Sequence, residues 1–351
     1  MLARLRHAAA RRIQARFAQT VRARLANPLG KSDLFDDNAL RVILCGTSSP
    51  LPDPNRAKTC VMVVAGGKAY VVDTGPESWK TLGLMNFPGA RIAAILLTHF
   101  HSDHIGDLGE FRMQTWVGGR RRPLPVHGPE GVQQVVAGFN QAYALDDRYR
   151  EAHHGADVMP LSGADLVARP FATQAGGERF VVLEADGLTV TAFEVDHFPA
   201  APAVGYRFDY RGRSVVISGD TRKLATLAKA SAGADVLVHD ALSQSLRQVL
   251  ADGARDAGNA RVAKLLNDIG DYHASPIEAA ETANHAGVQL LVYTHFVPAL
   301  VQRPLQLAYF DGVDAIRPRR GWAVGHDGMR FDLPAGSGEI VRSNMSLGIR
   351  R

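Results

Sequence analysis

The chain has 351 residues, 46% of them apolar and 21% charged, which is the composition of an ordinary globular protein with a substantial core. Its two cysteines are too few for a disulfide framework. The seven arginines of the first 25 residues exceed the net charge of +5, so residues 26–351 carry −2 and lack a general electrostatic attraction for nucleic acid.

The N-terminal segment is predicted to form a basic helical extension over residues 1–30. It is rich in Ala, Arg, Leu and Gln, and its arginines are Arg4, Arg6, Arg11, Arg12, Arg16, Arg22 and Arg24. It lacks the continuous apolar region of a secretory signal and is too polar to span a bilayer. A helix that is solvated or packs on another subunit is favoured. Peripheral contact with an anionic membrane and organelle targeting are the alternatives.

The first half of the body begins with strands and continues with helices. Strands are predicted in ALRVILCGT (39–47), KTCVMVVAGGKAYVVDTG (58–75) and ARIAAILLTH (90–99), because these runs are rich in β-branched residues and bounded by Gly, Pro or Asp. Helices are predicted at 104–119 and 129–154. Cys45 and Cys60 fall in the first two strands, where buried thiols are expected. Buried thiols fit a reducing compartment, and a cytoplasmic location is expected.

The second half repeats this organisation. Strands are predicted in RFVVLEAD (179–186), LTVTAFEVDHF (188–198), AVGYRFDYRGRSVVISGDT (203–221), DVLVHDAL (235–242) and VQLLVYTHF (288–296). A helix over 275–287 is predicted from Ser275 at the N-cap, Pro276 after it and Glu278 completing a capping box. Strands followed by helix in each half predict an αββα domain over 31–335, with a C-terminal tail at 336–351.

The most informative stretch is ILLTHFHSDHIGDL (95–108). Directly after a buried strand it places four metal-ligand side chains, His99, His101, Asp103 and His104. The first two alternate by two residues and share a side at the strand end, while the other two follow as the chain turns into a helix. Imidazole nitrogen and carboxylate oxygen are ligands that zinc accepts. Three further candidates end strands of the second half and are predicted to meet the first four at one edge: His197, Asp220 and His295.

These residues carry a resemblance to a known family. The motifs HFHSDH, VDHF, SGDTR, VHDAL, YHASPIEAAETA and YTHF are similar to those of the metallo-β-lactamase-fold hydrolase superfamily, specifically its ribonuclease Z and arylsulfatase-like branch. The resemblance covers roughly residues 41–334. It implies a four-layer αββα sandwich, preceded here by the N-terminal helix, and a metal-dependent hydrolase that acts on ester bonds.

The resemblance also implies a dinuclear zinc centre. The implied ligands are His99, His101 and His197 for one ion, Asp103, His104 and His295 for the second, and Asp220 as the bridge between them. The two ions would orient a bridging water as hydroxide for attack on an ester. Manganese or iron would also fit mixed nitrogen and oxygen sites of this kind.

The implied catalytic residues are Asp103, His273 and Asp240. His273 directly precedes the predicted 275–287 helix, so it faces the positive end of a helix dipole, where an anionic ester is favoured. Its implied role is to donate a proton to the leaving oxygen or to stabilise the transition-state anion. Asp240 stands where the family has the longer carboxylate of a His-Glu dipeptide. Asp73 is expected to hydrogen-bond a histidine ligand rather than to bind metal.

The substrate is predicted from what the chain lacks. Ribonuclease Z grips transfer RNA with a long arm, but at the matching place this chain has only a short hairpin, residues 209–213. Because the body also lacks a basic surface, a small anionic phosphate or sulfate ester is favoured, cleaved in a phosphodiesterase-like or arylsulfatase-like reaction. The alternatives are a ribonuclease Z-type RNA 3′-end endonuclease and a β-lactamase or lactonase. A homodimer is expected, and the complete ligand set argues against a metal-free binding module.

Overall fold

The computed structural model describes residues 2–26, 33–173, 178–302 and 304–346. The strands of these residues are β1 (Ala39–Gly46), β2 (Cys60–Ala65), β3 (Lys68–Val72), β4 (Ile92–Leu96), β5 (Leu124–Pro129), β6 (Leu166–Phe171), β7 (Phe180–Ala185), β8 (Leu188–Val195), β9 (Ala203–Tyr210), β10 (Arg213–Ile217), β11 (Val236–Leu242), β12 (Leu290–Val297), β13 (Trp322–Val324), β14 (Met329–Pro334) and β15 (Val341–Asn344). The α-helices are α1 (Leu2–Ala26), α2 (Ser78–Leu84), α3 (Ser102–Ile105), α4 (Leu108–Val117), α5 (Val132–His154), α6 (Ala225–Ala230), α7 (Gln244–Asp256), α8 (Ala260–Asp268), α9 (Pro276–His285), α10 (Leu305–Tyr309) and α11 (Val313–Ile316). Short 3-10 helices lie at Gly89–Arg91, Leu161–Gly163, Ile269–Asp271 and Arg319–Gly321.

The strands form two mixed sheets. The first has the order β15-β14-β1-β2-β3-β4-β5-β6, and the second has the order β13-β12-β11-β10-β9-β8-β7. In the first sheet the strands from β15 to β3 pair antiparallel and those from β3 to β6 pair parallel. In the second sheet β7 to β10 pair antiparallel and β10 to β13 pair parallel. The two halves of the chain therefore build sheets of the same design.

Alternation along the strands creates the layers. In β1, Leu40, Val42 and Leu44 point into a core shared by both sheets, whereas Ile43 points to the opposite face of its sheet. That opposite face packs under α2, α4 and α5. The outer face of the second sheet packs under α6, α9, α10 and α11. The predicted αββα sandwich is confirmed, and its apolar layers explain why the strands read as nearly continuous apolar runs.

The predicted N-terminal helix is present as α1. Its described side chains are exposed apart from the half-buried Val21, and even Ile13 and Phe17 remain 68% and 69% exposed. The predicted boundary between extension and domain, at residues 30 and 31, lies outside the described residues. Across the described ranges, no helix combines the length and the apolar character needed to cross a membrane.

Cys45 and Cys60 form a disulfide, so the prediction of two buried thiols is wrong. Their strands β1 and β2 are antiparallel neighbours, and Gly46 pairs with Cys60. This register brings the two Cα atoms to 5.0 Å, a separation typical of disulfides. Both side chains are fully buried. The pairing of β1 with β2, rather than any cysteine motif, therefore brings the two sulfur atoms within bonding distance.

Four other local features differ from what the sequence predicted. The helix predicted at 104–119 is divided into α3 and α4. The helix predicted from residue 129 starts at Val132, because Pro129 ends β5. The hairpin formed by α7 and α8 is an element that the sequence patterns did not predict. In addition, β15 lies within the segment predicted as a C-terminal tail and pairs with β14.

Candidate metal centre

The seven predicted ligand residues meet at one edge of the sandwich, where strand ends of both sheets come together. His99 follows β4, His197 follows β8, Asp220 follows β10 and His295 lies in β12. These four residues are only 1–3% exposed. The remaining three, His101, Asp103 and His104, lie at the turn into α3. Two triads predicted from the sequence, His99-His101-His197 and Asp103-His104-His295, each have ligand atoms within 4.8 Å of one another.

Unusual backbone geometry positions two of the polar residues in this region. His295 is the unpaired residue of a β-bulge between β11 and β12, and its φ is +47°. Asp73, directly after β3, has a φ of +59°. Such left-handed conformations are uncommon for residues with a Cβ and concentrate at functional sites. At Gly75 a Cβ would lie 2.2 Å from the carbonyl oxygen of Asp103, so glycine is required for this close approach.

In the first triad, the imidazole nitrogens of the three histidines face one another at short distances. Nε2 of His99 lies 3.0 Å, and Nε2 of His197 lies 3.2 Å, from Nδ1 of His101. The carbonyl oxygen of Tyr272 accepts from Nδ1 of His197 at 3.1 Å, so the proton of that ring is on Nδ1 and Nε2 carries a lone pair. The hydroxyl of Thr98 donates its proton to Asp73 and therefore accepts from Nδ1 of His99 at 3.1 Å, which gives that ring the same tautomer.

In the second triad, the two histidines lie close to the carboxylates of Asp103 and Asp220. Nε2 of His295 lies 3.1 Å from Oδ2 of both Asp103 and Asp220. Nε2 of His104 lies 3.2 Å from Oδ2 of Asp220. Oδ2 of Asp73 accepts from Nδ1 of His104 at 2.8 Å, which is the contact that the sequence predicts for Asp73. With one proton on Nδ1, Nε2 of His104 faces the carboxylate across a second proton or a bound cation.

This donor set fits divalent cations. Imidazole lone pairs and carboxylate oxygens that face one another at 3.0–3.2 Å repel unless a proton or a cation lies between them. Buried nitrogen and oxygen donors oriented by hydrogen bonds on their far side are the usual surroundings of a bound transition metal. The residues present are therefore able to hold metal ions.

The pKa values of the histidines in the first triad shift in the opposite direction from those in the second triad. Burial lowers the pKa of His99 well below its usual range and that of His197 to about 4, so both rings stay neutral at pH 7. Burial acts in the same direction on His104 and His295, but neighbouring carboxylates, Asp220 foremost, outweigh it and raise the pKa of both imidazoles. The side of the cluster around Asp220 thus attracts positive charge.

His273 and Asp240 form a hydrogen-bonded pair beside this cluster. Oδ2 of Asp240 accepts from Nδ1 of His273 at 2.8 Å, so the shorter carboxylate of this chain still reaches the histidine. Although burial opposes ionisation, His239 and His273 keep the pKa of Asp240 below its usual value. His273 directly precedes α9, which begins with the predicted capping box around Ser275. The structure therefore brings the predicted His273 and Asp240 together next to the metal-ligand residues.

A cavity of about 300 Å³ opens onto the cluster. Its polar lining consists of His101, Ser102, Asp103, His197, Asp220, His273 and His295, together with Ser49. Its apolar lining consists of Pro50, Leu51, Leu265, Ile269, Tyr272 and Val297. A substrate that enters this cavity would contact both the polar and the apolar residues of its lining.

Sequence reasoning missed several residues of the site. Thr98 donates to Asp73 through both its backbone nitrogen and its hydroxyl, at 2.9 and 2.8 Å, and so orients the residue that holds His104. Its position directly before His99 was an available signal. Leu265 comes from the unpredicted α8, and no local pattern indicated that it lines the cavity.

Comparison with known proteins agrees with this architecture. A family described as Beta-lactamase superfamily domain matches residues 68–296. A protein named Ribonuclease Z from Mycobacterium avium (strain 104) is 39% identical over 265 residues, which is 75% of this chain and 88% of that protein. A second protein of that name, from Mycolicibacterium gilvum (strain PYR-GCK), is 35% identical over 300 residues, covering 85% and 97% of the two chains.

Solved structures show the same fold at lower identity. Human tRNase Z, short form, is 20% identical, covers 84% of this chain and 99% of its own, and superposes with a TM-score of 0.60. A metallo-beta-lactamase fold protein from Bacillus subtilis is 17% identical, covers 84% and 99%, and superposes with a TM-score of 0.59.

Proposed function

The chain belongs to the ribonuclease Z family of metallo-β-lactamase-fold, metal-dependent hydrolases, and from this membership we propose that it is an RNA endonuclease that cleaves phosphodiester bonds near RNA 3′ ends. The observation that carries the proposal is the identity of 35–39% to proteins named Ribonuclease Z over three quarters or more of the chain. The clustering of the ligand-type side chains at one cavity supports it.

The expectation of a small phosphate or sulfate ester as the main substrate is overturned by these relatives. It rested on the short hairpin at residues 209–213 and on the charge of −2 outside the N-terminal helix. Neither feature describes the reaction centre itself. A short hairpin and an acidic body limit how a large RNA is held, but they leave the phosphodiester chemistry of the cavity unchanged.

The proposed metal content is two zinc ions per chain. The proposed ligands are His99, His101 and His197 for one ion and Asp103, His104 and His295 for the other, with Asp220 between them. Bound divalent ions would supply Lewis acidity, which activates water and stabilises negative charge developing on a phosphodiester. Thr98 and Asp73 contribute by fixing the ring orientation of the histidines, as described above.

His273 is proposed to act as the proton donor to the leaving oxygen. Its Nδ1 is engaged by Asp240, so Nε2 is the nitrogen that can reach a substrate in the cavity. Asp240 holds the imidazole in one orientation. Once the leaving oxygen has taken the proton, the cleaved strand can depart.

Other expected partners stay predictions. Peripheral membrane contact through residues 1–25 and a homodimer are proposed on the arguments given for the sequence. The expected cytoplasmic location rested on two buried thiols and loses that support, because Cys45 and Cys60 form a disulfide. Light scattering of the purified protein tests the homodimer, and a monomer mass would contradict it.

A panel of substrates tests the proposed function. Zinc-loaded protein would be assayed on a transfer RNA precursor with a 3′ trailer, bis-p-nitrophenyl phosphate, p-nitrophenyl sulfate and nitrocefin. The expected result is cleavage of the RNA at one position with a kcat/KM well above that for the other three compounds. Turnover of nitrocefin or the sulfate ester without RNA cleavage would contradict the proposal.

A further inference from the structure

An apolar stripe formed by α8 and the 3-10 helix that follows it faces the reaction cavity. Leu265 and Ile269 are separated by one helical turn and both line the cavity that contains His101, Asp103 and His273. Leu265 is 55% exposed, although it lies on a helix whose neighbours Ala263 and Leu266 are buried. A large aliphatic side chain left exposed within a catalytic cavity is suited to an apolar part of a ligand.

Tyr272 continues this apolar surface toward the catalytic residues. Its ring packs edge-on against the imidazole of His197, with centroids 4.8 Å apart and planes at 86°. Its carbonyl oxygen accepts from the same imidazole. The ring is therefore held in place beside His273, whose own centroid lies 5.0 Å away. Leu51, from the loop after β1, completes the apolar lining.

We propose that Leu51, Leu265, Ile269 and Tyr272 form a binding site for the nucleobase next to the cleaved phosphate. We call these four residues the base site. The proposal rests on the proposed RNA endonuclease function. RNA-binding proteins commonly hold unstacked bases on aromatic and apolar side chains. With the phosphate at the ligand cluster, a neighbouring base would have this surface within the same cavity.

The chemistry of the base site predicts how selective it is. The side chains of Leu51, Leu265 and Ile269 carry no hydrogen-bond donor or acceptor, so they contact the face of a base and do not read its edge. Every base has an apolar face, and such contacts tolerate all four bases. The three aliphatic side chains therefore favour a nucleotide over a bare phosphate ester without selecting a base, and the Tyr272 hydroxyl is the one group of the base site that can hydrogen-bond.

The same surface is poorly placed for a second protein chain. Leu265 and Ile269 line the cavity together with His101 and His273, so a partner chain seated on them would close the entrance to the catalytic residues. A substrate base is the occupant consistent with an open reaction centre.

The test compares the double variant Leu265→Ala/Ile269→Ala with Val249→Ala/Val262→Ala. The control residues are apolar, at least 38% exposed and on the same helical hairpin, and they do not line the cavity. Alanine favours helix, so both variants should fold. On a cleavable RNA, the base-site variant should raise KM about 10-fold, the range of a lost base-stacking contact, with little change in kcat. The control pair should behave as the parent protein.

An abasic RNA substrate tests whether the rise in KM of the base-site variant comes from lost contact with a nucleobase. RNA lacking the base on one side of the scissile phosphate should show the same rise in KM with the parent protein, and the base-site variant should add nothing further. An equal loss on intact and abasic RNA would overturn the base site. A change of oligomeric state in the base-site variant, with KM unchanged, would also overturn it and assign the surface to a second copy.

A binding measurement separates this inference from the proposed function. Calorimetry would compare adenosine 5′-monophosphate with ribose 5-phosphate and needs no turnover. Tighter binding of the nucleotide, lost in the base-site variant, supports the base site even if the protein cleaves no RNA. RNA cleavage by a protein that shows no preference for the nucleotide would refute the base site and leave the proposed function standing.

Discussion

Asp240 accepts a hydrogen bond from Nδ1 of His273 at 2.8 Å, and this contact directs the imidazole toward the cavity. The pair lies beside the metal-ligand cluster, yet His273 is outside both proposed ligand triads. The proposed proton transfer and the proposed metal binding should therefore be separable by mutation.

We expect His273→Ala to keep its metal and to lose turnover by ~10²–10⁴-fold, the usual effect of removing a general acid or base. Elemental analysis and kcat on RNA would be measured on the same preparation. His285→Ala is the matched control, because His285 is exposed at the far end of the helix that follows His273. Loss of metal from His273→Ala would show that His273 is itself a ligand.

Asp220→Ala should lose both metal and activity. One oxygen, Oδ2, lies 3.1–4.0 Å from four imidazole nitrogens, those of His295, His104, His197 and His99. Protein purified without chelator is expected to contain about two metal ions per chain, because seven ligands exceed the needs of one tetrahedral ion. Asp209→Ala is the control, because this half-buried carboxylate of β9 does not line the cavity. A parent stoichiometry of one or less is incompatible with a dinuclear centre.

Reduction of the Cys45–Cys60 disulfide should destabilise the protein. The bond joins residues 15 apart in sequence, and closing a loop of that length contributes about 3 kcal/mol to the free energy of unfolding. Urea unfolding with and without reductant measures the difference. The double variant Cys45→Ala/Cys60→Ala is the control, and its unfolding should not respond to reductant. Two free thiols in denatured, unreduced parent protein would mean that the bond does not form.

Asp327 should make stability depend on pH. Burial raises the pKa of Asp327 from 3.8 to about 6, although Ala57 and Thr47 donate hydrogen bonds to it. The folded state holds this proton more tightly than the unfolded state, so the stabilisation is complete below pH ~4 and is lost as pH rises through about 6.

The loss amounts to about 3 kcal/mol between these limits. Asp327→Asn keeps the shape of the side chain and removes its charge, so this part of the pH dependence should disappear. Urea unfolding of both proteins between pH 4 and 8 is the measurement. Parallel stability curves for the two proteins would show that Asp327 does not titrate as described.

Removing residues 1–25 should leave kcat unchanged, because every proposed metal ligand and catalytic residue lies at residue 99 or later. A short RNA substrate would be used for the comparison. The full chain should also bind anionic vesicles in a salt-sensitive manner, since each arginine near the surface contributes about 1 kcal/mol that ions screen.

Arg11→Gln/Arg12→Gln/Arg16→Gln should weaken vesicle binding without affecting kcat, because these arginines are exposed on α1. If the truncated protein no longer cleaves the short RNA, the helix must reach the reaction cavity or a subunit contact. Vesicle binding that is unaffected by salt would exclude the electrostatic membrane contact.

Local chemistry made the metal-ligand cluster predictable. His99, His101, Asp103 and His104 are adjacent in sequence and follow a buried strand, so no long-range information is needed to see them as one group. The capping box at Ser275 is equally local, and it was confirmed. The apolar runs likewise predicted the αββα arrangement, because strands followed by helix recur in each half of the chain and the motifs resemble those of a family with that fold.

Contacts between distant segments decided the rest. The Cys45–Cys60 bond depends on the register of two strands, and the bulge at His295 depends on its pairing with β11. The place of Leu265 in the cavity depends on how the α7–α8 hairpin packs.

Substrate preference also depends on contacts between distant segments of the chain. Hairpin length and net charge are properties of the chain as a whole, whereas recognition depends on which side chains surround the scissile bond. The sequence by itself determined the fold class and named the metal-ligand candidates, because the apolar strand runs, the HFHSDH turn and the motifs that resemble a known family are local. Only the tertiary structure placed Leu51 and Leu265 in one cavity with His101 and His197, because free energy from packing, rather than any motif, brings those distant segments together.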